Sequence, residues 1–186
     1  LSEFPSSWTA AVLPARPLIL PRRRFVYPAQ VDEVERGALE LLVRPSGAEP
    51  FLATCALGFA GGLFGVWTCP DPDQLCAIAG GYAYILNTQH PERWEQVSYR
   101  PVLEVLAAVD HRLLLFAGHK AVQAYGLRGR VWETPSLSSE GLDGLRVEGD
   151  TLLGAGWDLM TDRALPFAVD LRTGKFPSVP FQNETV

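Results

Sequence analysis

Charge is scarce in this chain, and no stretch stays apolar long enough to cross a bilayer as a helix. Charged residues make up 20% of the 186, and the longest apolar stretches fall far below the roughly 18–20 residues that a spanning helix needs. Residues 10–21 carry three prolines and an arginine, which suits neither a span nor a signal-peptide core. A leader removed ahead of residue 1 stays compatible with that reading. There is no cationic excess either. The net charge is −5, which argues against nucleic acid and against a membrane surface as partners. The one basic cluster, Arg22-Arg23-Arg24, reads as part of a solvated arm. Cysteines are few and odd in number. Cys55, Cys69 and Cys76 form no C-x-x-C pair, so a disulfide framework is not expected and a reducing, cytoplasmic setting is. They read as small buried strand residues, with one bridge plus a free thiol as the rival.

The familiar catalytic motifs are missing too. No G-x-x-x-x-G-K-[ST] loop occurs, and the glycines at 58, 61, 62 and 65 do not match G-x-G-x-x-G. No G-x-S-x-G elbow is present. The histidines are His90, His111 and His119. The last two fall at opposite ends of one expected strand and share a face, but a metal site would need further ligands. The sequence therefore assigns no catalytic residue, no metal site and no cofactor.

What the chain does have is glycine (17), proline (15) and a repeat. That composition suits many short strands joined by turns. Ala79-Gly80, Ala117-Gly118 and Ala155-Gly156 recur at an interval of 38 residues. Trp94-Glu95 and Trp132-Glu133 recur at the same interval, as do Val109 and Val147, Leu114 and Leu152, and Leu115 and Leu153. Each unit opens on a polar turn, runs through an apolar strand into Ala-Gly, and continues in a second strand. Tyr82, Tyr84 and Leu86 alternate with Ala83 and Ile85, the period of two expected of a strand.

Multistranded repeats of about 40 residues have the size of propeller blades. The expected fold is therefore all-β, with antiparallel blade-like sheets forming a small or incomplete β-propeller. A β-sandwich is the alternative. The units fall near 34–71, 72–109, 110–147 and 148–186, the first of them degenerate. Residues 31–43 fit a helix or the start of a sheet equally well. Residues 1–30 read as an extended Pro-rich arm, with Trp8, Phe25 and Tyr27 packing it onto the single domain of residues 31–186.

Three segments carry a family resemblance. They are Ala121-Val122-Gln123-Ala124-Tyr125, Gly129-Arg130-Val131-Trp132, and Phe167 to Lys175, each set behind an apolar strand into Ala-Gly. Over about residues 71–176 the chain resembles the blades of quinoprotein-like β-propellers. The resemblance implies a fold and not quinone binding, and it transfers no cofactor residue.

For function, the expectation is a non-catalytic binding or protein-interaction module for a protein or a small polar ligand. The third unit has extra residues after its Ala-Gly, and an insertion the scaffold does not require is where a site is expected. Trp157, Asp158, Asp162 and Arg163 are the candidate ligand-binding residues there. The alternative is a small hydrolase, for example one acting on a sugar, with Asp158 and Asp162 as paired carboxylates. A ring closed by self-association is the third reading.

Overall fold

The computed structural model describes residues 4–29 and 37–176. Its regular structure is β throughout, apart from one 3-10 turn at Val109–His111. The first sheet contains β1 (Trp8–Leu13), β2 (Arg23–Tyr27), β3 (Ala38–Pro45) and β4 (Phe51–Ala56), in the order β1-β3-β4-β2. The second contains β5 (Phe64–Thr68), β6 (Gln74–Ala79), β7 (Tyr82–Asn87) and β8 (Trp94–Gln96) in chain order. The third contains β9 (Glu104–Ala108), β10 (Leu113–Ala117), β11 (Val122–Gly126) and β12 (Gly129–Glu133), and the fourth β13 (Leu142–Glu148), β14 (Thr151–Asp158) and β15 (Arg163–Asp170). All pairings are antiparallel except β2 with β4. Of the ambiguous stretch 31–43, residues 31–36 lie outside the described residues, and the rest enters strand β3. Residues 8–13 and 23–27 supply the two edge strands of the first sheet, and Trp8 and Tyr27 are buried in its core.

The four sheets stack in series. Leu41, Val43, Phe51 and Ala53 of the first meet Leu75, Ala77, Tyr84 and Leu86 of the second. The other face of the second (Cys76, Ile78, Ala83, Ile85) meets Leu114, Phe116 and Tyr125 of the third. Leu115, Val122 and Ala124 on the third sheet's remaining face meet Leu152, Phe167 and Val169 of the fourth. The two middle sheets are thus covered on both faces, which is why β6, β7, β10 and β11 are nearly continuous apolar runs rather than strict alternations.

The recurring Ala-Gly closes the second strand of the second and third sheets and lies two residues before the end of β14 in the fourth. There the chain arriving from the previous sheet presses against it. Gly58 and Phe59 donate to the carbonyls of Ala79 and Gly80, and Leu103 donates to Ala117. A Cβ on Gly80 would strike Phe59's backbone, one on Gly118 the Tyr99 ring, and one on Gly156 the Leu137 carbonyl. The glycines therefore admit the connecting segments, rather than bringing neighbouring sheets closer together.

The tryptophans behave differently. Trp94 lies in the gap between the first and second sheets, its ring 5.5 Å from that of Tyr27. Trp132 lies between the third and fourth, where its indole N–H donates to the Leu171 carbonyl at 2.7 Å. Residues 38 apart thus face opposite ways between the second and third sheets.

Candidate binding groove

The first strands of the sheets, β1, β5, β9 and β13, lie along one margin of the stack. Each is hydrogen-bonded to a neighbouring strand on one side only and so forms an edge of its sheet. Two clefts run between these edges. One, of about 380 Å³, is lined by Trp8, Ala10, Phe64, Trp67 and Ala107 among others. The other, of about 360 Å³, lies between Trp67, Val105, Leu145, Arg146 and Val147.

Trp67 and Ala107 border both clefts. Trp67 is seated by its own strand: Gly65 has φ +154°, and a Cβ there would strike the Trp67 ring. One face of the indole joins the core between the second and third sheets, and the ring remains half-buried. Phe64 stands beside it, 48% exposed. Polar character comes from the strand mouths. The carboxyl of Glu104 is held above its ordinary range, first by partial burial and then by the charge of Asp143. Arg146 is drawn away by its ion pair with Glu148, at 2.6 Å.

The residues expected from the sequence lie elsewhere, at the β14–β15 hairpin. Trp157, 37% exposed, pairs with Ala164 in the strand register, whereas Asp158 pairs with Arg163. Consecutive strand positions point to opposite faces, so Trp157 turns away from Asp158 and Arg163. The Asp158 carboxylate closes the turn, accepting hydrogen bonds from the Met160 N–H and from Thr161's N–H and hydroxyl. Those bonds, the Thr161 hydroxyl first, hold its pKa below the ordinary value. Asp162 takes the left-handed conformation at φ 54°. Trp157 and Asp158 share a depression of about 220 Å³ with Ser136–Ser139, and neither Asp162 nor Arg163 lines it.

His111 and His119 also separate. His111 Nε2 lies 3.1 Å from Asp150, while His119 is exposed beyond the far end of β10. Among the described residues no group of three His, Cys, Asp or Glu side chains is placed to hold a metal ion, and no helix is long and apolar enough to cross a membrane.

Sequence reasoning missed Trp67 and Glu104. Trp67 precedes the Ala-Gly pattern, and the residue 38 positions on is Val105. That pair is itself the usable signal, because both line the second cleft. Comparison with known protein families and with characterised proteins finds no match to this chain.

Proposed function

We propose that this chain is a non-catalytic interaction module whose groove takes an extended segment of a partner protein. The single observation carrying this reading is the alignment of four sheet-edge strands along two clefts that share half-buried Trp67. An extended peptide can add its backbone to such an edge and set its side chains in the flanking clefts, and aromatic side chains serve as the anchors of protein interfaces. The net charge of −5 supports a protein partner over nucleic acid. Three buried, unpaired thiols support a reducing compartment such as the cytoplasm. The serial stack, in which three four-stranded sheets and one three-stranded sheet follow one another along the chain, supports the small or incomplete propeller that the blade-level resemblance implies.

The test is selection of binding peptides from a random displayed library, followed by calorimetry on the selected sequences. Phe64→Asp should weaken them at least about tenfold, since a desolvated charge replaces an apolar contact. Leu127→Asp, at a turn on the opposite margin, should leave them unchanged. Equal binding to both variants, or no selected peptide at all, would sink the groove reading. A hydrolase is the second reading, moved from Asp158 and Asp162 to Glu104, which lines the second cleft with its carboxyl held above the ordinary range by burial and by the charge of Asp143. Aryl-glycoside turnover that disappears in Glu104→Gln would favour it over the interaction module.

A further inference from the structure

We propose that residues 14–22 dock this protein on the surface of an anionic lipid bilayer. The site lies apart from the groove and does not depend on the groove's function. β1 and β2 occupy opposite edges of the first sheet. The nine residues joining them therefore traverse the sheet, roughly 14 Å at three strand spacings.

Midway along this crossing stand Leu18 and Ile19, 103% and 91% exposed. Isolated exposed aliphatics are ordinary on protein surfaces, but these two are adjacent and stand in the chain between Arg16 and the Arg22-Arg23-Arg24 cluster. Arg16, Arg22 and Arg24 are exposed and have no ion-pair or hydrogen-bond partner among the described residues. Arg23 is committed to the fold. It donates to the Glu49 carbonyl at 3.0 Å and lies over the Phe25 and Phe51 rings, 5.7 and 5.8 Å from their centroids. It thereby fixes the end of the loop against the sheet.

Residues 4–29 contain four arginines and neither Asp nor Glu, in a chain whose net charge is −5. That net charge is an average over the whole molecule. At a Debye length of about 8 Å a bilayer responds mainly to the charges nearest to it. An apolar tip flanked in the chain by arginines matches the two parts of an anionic interface, with the aliphatics entering the acyl boundary and the arginines meeting the headgroups. The loop lies in the headgroup layer and does not cross it. An acidic protein would engage the arginines and leave the aliphatic tip in water. A second copy of this chain would bring arginine against arginine.

A second exposed pair, Leu159 and Met160, supplies the control. It is 58% and 92% exposed, but Asp158 and Asp162 flank it.

The experiment is co-sedimentation of the full chain with phosphatidylcholine vesicles, with and without phosphatidylserine. Binding is expected to the anionic vesicles alone and to weaken with added salt. Arg22→Gln with Arg24→Gln should lower affinity about thirtyfold, at roughly 1 kcal/mol per arginine. Leu18→Asn with Ile19→Asn should abolish binding, and Leu159→Asn with Met160→Asn should leave it intact. Thermal melts should be unchanged in all three variants, since the substituted side chains are exposed. Equal binding to both vesicle types, or to neither, overturns the proposal. So does displacement by inorganic phosphate at matched ionic strength, which would mark a phosphate site. A Leu18-dependent dimer without vesicle binding overturns it in favour of self-association.

Discussion

From Ala79-Gly80 to Ala117-Gly118, and from there to Ala155-Gly156, the chain advances twice by 38 residues. The first step turns the side chains over and the second keeps them. Cys76 and Leu114, or Ile78 and Phe116, stand 38 apart and meet each other across one gap. Leu114 and Leu152 instead both point back toward the preceding sheet. Both steps preserve the glycine, because its job is set by the backbone of the incoming connection, which needs room beside it. They do not both preserve the side-chain face. Polarity does little to distinguish the faces of the second and third sheets, since both sides are buried and apolar, and a flipped register costs less there than on a half-solvated sheet.

The glycines should therefore be the least replaceable members of the repeat. Gly156→Ala drives a Cβ into the Leu137 carbonyl, and a main-chain obstacle cannot rotate away. We expect a loss of about 3 kcal/mol by urea denaturation, the upper part of the usual cost of overpacking. Gly118→Ala meets a side chain instead, the Tyr99 ring. That ring is pinned because its hydroxyl accepts from the N–H groups of Lys120 and Ala121, so a smaller but clear loss is expected. Gly61→Ala, in open space, should change stability by less than about 0.5 kcal/mol. If all three substitutions cost the same, close approach is not what the recurrence encodes.

The tryptophans test the other half of the comparison. Trp132→Phe removes the buried hydrogen bond to Leu171 and leaves that carbonyl unsatisfied. Trp94 packs against Tyr27 and Tyr84 through its ring. Trp132→Phe should therefore cost about 1–2 kcal/mol more than Trp94→Phe, measured by the same unfolding assay. Equal losses would mean that the two indoles do the same work despite facing different gaps.

The β content and the recurring strand-to-glycine boundary were legible because they depend on alternation and on backbone room, both written locally. The order of the sheets was legible from the repeat's length. The facing of each sheet was not, because the recurrence aligns Cys76 with Leu114 and Ile78 with Phe116 whichever side of its sheet each occupies. The first sheet was only partly legible. β2 reaches it by a crossing connection and pairs in parallel with β4, and no local signal announces a long-range parallel neighbour. The candidate site was the least legible part. Trp157 and Asp158 stand out as departures from the repeat and share one depression, which Asp162 and Arg163 do not line. Trp67 and Val105 line a cleft only because the flip turns them toward the same gap.

A smaller effect at neutral pH should come from Tyr125, which fills that same gap. It packs in one cluster with Cys76, Ile78, Ala83 and Ile85 of the second sheet, its ring 5.3 Å from that of Phe116. Burial, followed by the charge of nearby Glu95, pushes the Tyr125 phenol up from 10.0 to about 12. The folded state then holds this proton more tightly than the unfolded one, so the folded form binds more protons between those values. Stability is accordingly unaffected by this group's titration below about pH 10 and is lost as pH rises from there toward 12. Tyr125→Phe keeps the ring packing and removes the titration. The variant gives up the hydroxyl's hydrogen bond to Glu95, a cost of about 0.5–1 kcal/mol near pH 7, and should lose less further stability than the parent above pH 10, in thermal melts across that range. An unchanged alkaline slope would place the phenol in solvent and open the gap between the two middle sheets.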